Sequence, residues 1–229
     1  PRARALFVPR EEWVQVGIDA KGLEARMLAN RMYPYDGGQY GKIVVDGDVH
    51  VENQRMAGLS TKAQAKTFFY GLIYGAGDEK IGKIVGKNRT AGRKLKAKFL
   101  DAMPALKKTI EECQFQVAKK GTITLLDKRE VPCRSNHAAL NVQLQGDGAI
   151  VMKLALCILI ASLRQPKYHG KWGLMATVHD EWQFECDPDI ADEVGMLGCQ
   201  AITDAGRRLA CKICLDGSYE IGRNWAECH

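Results

Sequence analysis

Apolar and polar residues alternate along Trp-Val-Gln-Val-Gly-Ile-Asp, ending at Asp19. A period of two predicts a half-buried strand, here closed by a carboxylate. Leu23, Met27 and Leu28 then recur at helical spacing, so a helix is expected just past Asp19. Residues 33–48 are rich in Gly and Asp and read as loop with short pieces. Ser60-Thr61 offers an N-cap for a helix running to about Tyr74, where Gly75-Ala-Gly77 ends it. Two further helices fit residues 89–100 and 104–118, the second with Pro104 in its first turn. Residues 122–131, around Asp127-Lys128, read as a hairpin. A long, mostly apolar helix fits residues 140–163. Residues 174–186 read as two strands meeting at His179-Asp180-Glu181, and a helix over 189–209 and a short tail follow. Strands thus flank a central helical block, which predicts an α+β fold, a sheet domain with a helical lobe inserted into it.

Composition narrows the class. The chain has 229 residues, 46% of them hydrophobic and 26% charged, the balance of a soluble globular chain of one large or two modest domains. Disorder, collagen-like repeats and a pure coiled coil are excluded. The longest apolar stretch, residues 149–163, is interrupted by Lys153 and falls short of the ~18 residues of a membrane span, so no membrane partner is expected. The chain begins at Pro1, and Arg2 and Arg4 lead into no apolar run. A signal peptide is therefore not expected, the native start is expected upstream, and the expected location is cytoplasmic. The eight cysteines are scattered, which favours reduced thiols over a disulfide framework. Cys211 and Cys214 have CxxC spacing but no second ligand pair close by, so buried or idle thiols are preferred to zinc.

Charge is uneven. Residues 80–120 hold twelve Lys and Arg against Asp101, Glu111 and Glu112, nine positive charges in a chain whose net charge is +6. The remainder is mildly acidic. A basic lobe of this kind suits a polyanion such as a nucleic acid, although a solvated lysine-rich helix face gives the same count.

Two phosphate-loop lookalikes fail on context. Gly75-Ala-Gly77 has Lys80 where a third glycine is needed, and the Gly77 to Lys83 stretch has Ile84 where a P-loop needs Ser or Thr; neither follows a predicted strand. The carboxylates carry more. Asp19 ends one predicted strand, and Asp180 and Glu181 lie where two others meet. Acids on adjacent strand ends can share hard cations, and two Mg²⁺ ions so held would clamp both oxygens of a phosphoryl displacement. Strand-end acids are also ordinary turn residues. Lys62, Lys66, Tyr70 and Tyr74 are spaced by four, so one helix face presents two ammonium groups and two phenols. Such a face suits a ligand with phosphates at one end and a base and sugar at the other; an amphipathic helix with exposed lysines has the same spacing.

Taken in order, these residues resemble the C-terminal part of a family A (polymerase I-like) DNA polymerase, of the branch that replicates short-tailed phages. Asp19-Ala-Lys-Gly-Leu-Glu24-Ala-Arg26 resembles the first catalytic motif, Lys62-x3-Lys66-Thr-Phe-Phe-Tyr70-Gly-x2-Tyr74-Gly75 the fingers-helix motif, and Val178-His179-Asp180-Glu181 the last. Further matches are Gly47-Asp-Val-His50, Gly77-Asp-Glu-Lys-Ile-Gly82, His137-Ala-Ala-Leu-Asn141 with Gln145, and the ending Asn224-Trp225-Ala226-x-Cys228-His229. The resemblance implies a palm over about residues 1–30 and 140–229 and fingers over 31–139. It implies that Asp19 and Asp180 bind two Mg²⁺ with Glu181 assisting, and that Lys66, His50 and Lys62 neutralise the triphosphate of an incoming dNTP. Tyr70, with Tyr74 on the same face, would stack near its base and sugar. Glu24 would exclude a 2′-hydroxyl, Asn141 and Gln145 would read the minor groove of primer–template DNA, and His179 would contact the primer end.

Two departures stand out within the resemblance. Lys62 replaces the family's usual Arg, losing the bidentate fork, and Tyr70 is Phe in some relatives, where a phenol is expected to ease acceptance of sugars lacking a 3′-hydroxyl. Nothing in the chain resembles a thumb, a proofreading exonuclease or the palm segment before the first motif. A thumb/exonuclease portion in cis or in trans, and a processivity factor, are therefore expected partners. Two other functions compete with template-directed synthesis. One is a non-catalytic DNA- and nucleotide-binding fragment of a split polymerase. The other is a metal-dependent nuclease, which leaves the Lys62–Tyr74 face unexplained.

Overall fold

A computed structural model describes residues 3–229; Pro1 and Arg2, where the expected palm segment and the leader reading begin, lie outside the described residues. The elements in chain order are β1 (Val14–Ala20), α1 (Leu23–Asp36), α2 (Gln39–Asp46), α3 (Val49–Ala57), α4 (Lys62–Ile73), α5 (Asp78–Ile84), α6 (Arg89–Ala102), α7 (Pro104–Lys120), β2 (Thr122–Thr124), β3 (Glu130–Pro132), α8 (Ala139–Leu163), β4 (Trp172–Val178), β5 (Glu181–Cys186), α9 (Ala191–Arg208) and β6 (Gly217–Gly222). The chain forms two compact units, one from the residues up to Leu23 with Gly148–His229, the other Glu24–Asp147. The fold is α+β, as the pattern of elements predicts.

The first unit is built on an antiparallel sheet of order β4-β5-β1-β6. The central strand β1 pairs with β5 from Val14↔Cys186 to Asp19↔Glu181, and with β6 from Gln15↔Gly222 to Ala20↔Gly217. Val16 and Ile18 point to the face covered by α9, whose buried stripe Ala191, Val194, Ala201, Ile202 and Ala205 recurs at three- and four-residue steps. The opposite face is covered as well. A Cβ on Gly17 would lie 2.2 Å from the Cys228 carbonyl oxygen, so only glycine admits the C-terminal segment there. Gln15 is fully buried on this face and donates to Gln183 at 2.6 Å. The strand expected to be half-buried is therefore buried on both faces, because residues more than two hundred positions downstream fold over it.

The expected short tail after α9 is also corrected. It contains β6, whose weak alternation becomes a strand because it completes the pairing of β1.

The second unit is helical with one hairpin, β2–β3, as expected around Asp127-Lys128. Side-chain caps set several helix starts. The Thr61 hydroxyl accepts from Gln64 N at 3.2 Å, and the Asn88 carbonyl from Ala91 N at 3.0 Å. Phe68 and Phe69 on the inner face of α4 meet Phe99 of α6, with the Phe68–Phe99 centroids 5.1 Å apart and edge to face. The Gly- and Asp-rich segment over 33–48, expected to be loop, is mostly helix. α1 continues through Pro34 to Asp36, whose carboxylate accepts from Gly38 N (2.8 Å) and Tyr40 N (2.9 Å), and α2 begins at once. Burial of Met32 and Tyr40 outweighs the turn-forming composition. Likewise Gly77 opens helix α5 rather than cradling a phosphate.

α8 contributes residues to both units. By length and composition it could cross a bilayer, which the apolar run broken by Lys153 did not suggest. Its buried positions Leu144, Val151, Met152, Ala155, Leu159 and Leu163, and a fully buried, ion-paired Asp147, are those of a core helix. None of the eight cysteines is in a disulfide, in agreement with the scattered spacing.

Candidate active site

The acidic part of the site belongs to the sheet unit. Residues His179 and Asp180 form the two-residue turn between β4 and β5, closed by the Val178↔Glu181 pair. His179 takes a left-handed conformation (φ +52°), strained for a residue with a Cβ, and this places Asp180 at the tip. The Asp180 carbonyl accepts from Ala20 N at 2.9 Å, so the turn stays docked on β1 ahead of the first residue of β5. Asp19 stands directly opposite Glu181. The carboxyl of Asp19 is pushed above the usual carboxylate range, first by burial and then by the negative charges of Asp180 and Glu181, with His229 pulling it back.

Glu181 differs from the other two acids. It is 4% exposed and is held by donors. Trp225 Nε1 donates to its Oε1 at 2.6 Å, Gln183 Nε2 donates to the same oxygen, and His229 Nδ1 lies 2.9 Å from Oε2. Sequence reasoning assigned no role to Gln183, Trp225 or His229. Two of them lie 44 and 48 residues downstream of Glu181, and only the family-like ending Asn224-Trp225-Ala226-x-Cys228-His229 hinted at them.

Among the described residues, no three His, Cys, Asp or Glu side chains converge as a complete metal-ligand set. The expected donors are nevertheless oxygens concentrated where negative charge already raises Asp19. That suits Mg²⁺, which takes one or two protein carboxylates and fills its octahedron with water and phosphate oxygens. Cys211 and Cys214 belong to no such group among the described residues.

The helical unit carries the cation-and-ring constellation. Along α4, Lys62 and Lys66 are exposed and Tyr70 is half-buried, while Ala65, Phe68, Phe69 and Leu72 on the other side are buried. His50, from the first turn of α3, lies beside this face with its ring centroid 6.0 Å from that of Tyr70. Burial and then the Lys66 ammonium hold the His50 imidazole below its ordinary range, with Asp48 opposing and Lys62 reinforcing. Its Nδ1 is buried without a partner. Lys62 is engaged by Asp48, whose carboxylate also caps α3 by accepting from His50 N (3.0 Å) and Val51 N (3.2 Å). Sequence reasoning missed Asp48 as the partner of Lys62, since an acid fourteen residues away on another element carries no periodic signal.

Tyr74 and Tyr70 have ring centroids 6.0 Å apart. The Tyr74 hydroxyl donates to Glu24 Oε2 at 3.0 Å, and Gln145 Nε2 donates to Glu24 Oε1 at 3.0 Å. Glu24, Tyr74 and Gln145, 121 residues apart at the extremes, thus form one hydrogen-bonded group within this unit. Asn141 lies one turn before Gln145 on α8, and its Oδ1 is buried without a partner. Gly75 adopts φ +75°, and a Cβ there would lie 2.1 Å from the His137 carbonyl oxygen, so glycine is required where α4 ends beside the approach to α8. The basic residues of 80–120 lie on α5, α6 and α7, with Lys87 between α5 and α6, and all but the half-buried Lys96 are exposed.

The family model for DNA polymerase family A matches residues 1–227. The chain is 41% identical over 236 residues to the DNA-directed DNA polymerases of Enterobacteria phage T3 and Escherichia phage T7, matching 95% of this chain and 34% of each phage enzyme. It therefore spans about a third of the length of these relatives. The fold matches that of the POL domain of Pol1 from M. smegmatis, solved with DNA primer-template and dNTP, with TM-score 0.87 at 19% identity over 99% of this chain and 42% of that one. With its carboxylates on paired strands and its Lys–Tyr helix in the order of the family's motifs, the chain belongs to DNA polymerase family A.

Proposed function

We propose that this chain is the palm–fingers portion of a template-directed DNA polymerase, which transfers a nucleotidyl group from a dNTP to a primer 3′-hydroxyl. In this reading residues 1–30 and 140–229 are palm and residues 31–139 fingers. The observation that carries the reading is the pairing of the Asp19 strand end with the Asp180 turn, where burial and neighbouring carboxylates raise Asp19, surroundings that suit divalent cations. Asp19 and Asp180 would hold two Mg²⁺, and Glu181 would stand beside them. Bound metal at such a site lowers the pKa of an attacking hydroxyl and stabilises a departing pyrophosphate.

The protein's own groups do the rest. Lys66 and Lys62 bind the triphosphate, fixed positive charge placed where negative charge grows in the transition state, and His50 assists beside them with its imidazole held towards the neutral form. Tyr70 stacks against the nucleoside. Glu24, held by Tyr74 and Gln145, fills the space a 2′-hydroxyl would need. Asn141 and Gln145 touch the minor groove, whose acceptor pattern is nearly the same for every pair, so they check geometry and leave sequence to the template. His179 contacts the primer end. The basic helices α5 to α7 supply salt-sensitive attraction to DNA.

Primer extension with Asp180→Ala as the comparison tests this. Loss of extension with retained DNA affinity is expected, and extension at the unmodified rate would refute the assignment. A second reading is favoured by the fraction of the relatives that the chain spans: a fragment that grips DNA and nucleotide and turns over only with a thumb-bearing partner. Salt-dependent DNA binding without extension, restored by that partner or by the upstream region in cis, would select it.

A further inference from the structure

In the cluster of Asp19, Asp180 and Glu181, side-chain donors hold Glu181, and one of these ties leads away from the site. Trp225 donates its indole N–H to Glu181 Oε1 at 2.6 Å, at the short end for such a bond. The same indole is gripped from its other side by the segment that precedes β1. The Phe7 ring meets it edge to face with centroids 5.3 Å apart, the Arg4 guanidinium lies over it at 5.0 Å, and Trp225 N donates to the Phe7 carbonyl at 3.1 Å. Leu6, Phe7 and Val8 are themselves 80%, 50% and 58% exposed, so the contacts with Trp225 are a principal tie of this segment, next to the hold of Glu185 on Arg10. All of these contacts lie within the sheet unit.

We propose that Trp225 is a positioning residue for Glu181, and that the segment carrying Arg4 and Phe7 sets its orientation. The proposal rests on the polymerase reading only for the consequence in turnover. An indole N–H on a buried carboxylate does two things. It fixes the rotamer, leaving Oε2 to the His229 imidazole, and it adds to Gln183 in satisfying Oε1 of a carboxylate buried in a low-dielectric site. Rotation of the indole would carry that donor off Glu181. The Phe7 edge contact and the Arg4 cation oppose such a rotation. Residues 4–7 are thereby coupled mechanically to the acid paired across the sheet with Asp19.

Trp225→Phe keeps the ring and removes only the donor. In primer extension by the full chain, with its upstream region fused if turnover requires it, kcat is expected to fall about ten- to hundredfold, the range for losing a hydrogen bond to a charged group. KM for dNTP and affinity for primer–template are expected to stay within about twofold, because no ligand-binding group has moved. The second readout needs no activity. In a ¹⁵N spectrum the chain's four Trp give four indole signals. The signal absent in Trp225→Phe should be displaced downfield and protected from solvent exchange. Glu181→Gln should move that signal, and Phe7→Ala should move it in the same direction by less.

A Trp225 indole signal that ignores both Glu181→Gln and Phe7→Ala would overturn the proposal. So would an unchanged kcat in Trp225→Phe, or a loss carried by KM alone. If Asp180→Ala extends primers normally, the polymerase reading fails, while the indole shifts still decide whether Trp225 holds Glu181.

Discussion

Arg31 and Asp147 join α1 to α8 inside the helical unit, the two helices that also present Glu24 and Gln145. Arg31 Nε donates to Asp147 Oδ2 at 2.7 Å and its Nη2 to Oδ1 at 2.8 Å, and the Leu126 backbone N–H completes the shell at 2.7 Å. The Asp147 side chain is 1% exposed and that of Arg31 23%. Arg31→Met retains most of the apolar stem but leaves a buried carboxylate with one donor. Breaking a buried pair from one side costs about 3–5 kcal/mol. In a chain of this size each kcal/mol shifts Tm by roughly 2–4 °C, so a fall of roughly 6–20 °C follows. Asp147→Asn in the same background removes the stranded charge and keeps an acceptor for Leu126 N–H, so Arg31→Met/Asp147→Asn should recover most of the loss.

The pH dependence has a definite sign. Burial pushes the Asp147 carboxyl above its ordinary value of 3.8, and Arg31 and the Leu126 N–H pull it back only in part. A raised carboxyl favours the folded state fully below the unfolded value, and that contribution disappears as pH rises through the folded one. Without Arg31 the folded value climbs further. The stability of Arg31→Met should therefore improve as pH is lowered from neutral towards the carboxylate range, and the double variant should lack this component. Urea titrations of the four proteins of the cycle at several pH values measure it. A single variant within about 1 kcal/mol of the unmodified protein, or a loss independent of pH, would refute the account of this pair as a compensated buried charge.

Two further outcomes follow from the cation-and-ring face. The His50 imidazole, held down by burial and then by Lys66, should titrate below 6.5 by NMR and move up in Lys66→Ala; a midpoint at or above 6.5 in the unmodified chain contradicts the described surroundings. Because that value is lowered, the stability His50 lends is present above its unfolded pKa and is lost as pH falls through the folded one. Asp48→Asn keeps the cap on α3 but releases Lys62, so a lower KM for dNTP is expected with little change in Tm, and a raised KM would argue against Lys62 as a phosphate ligand.

Much of the site could be read from local pattern. An alternating run that stops at Asp19, an acid pair where two runs meet, and Lys62, Lys66, Tyr70 and Tyr74 at steps of four each report a single element and its exposed face. What escaped reading involves partners on other elements. Asp48 on Lys62 crosses between two helices, and Tyr74 and Gln145 on Glu24 bring together three segments. The donors on Glu181 come from the end of the chain. The Gly- and Asp-rich stretch was misread for the same reason, since Tyr40 and Met32 become core residues only when neighbouring helices cover them.

The type of the strongly periodic elements, the order of the motifs and the basic character of the central helices were already written in periodicity and composition, because backbone geometry imposes the same repeat on any helix or strand. The tertiary structure alone decided that β1 is buried on both faces, that residues 217–222 form a strand, and that one acid of the three is clamped by an indole. Those outcomes depend on which distant segments meet, and that follows from satisfying every buried donor and apolar face at once rather than from any window of neighbouring residues.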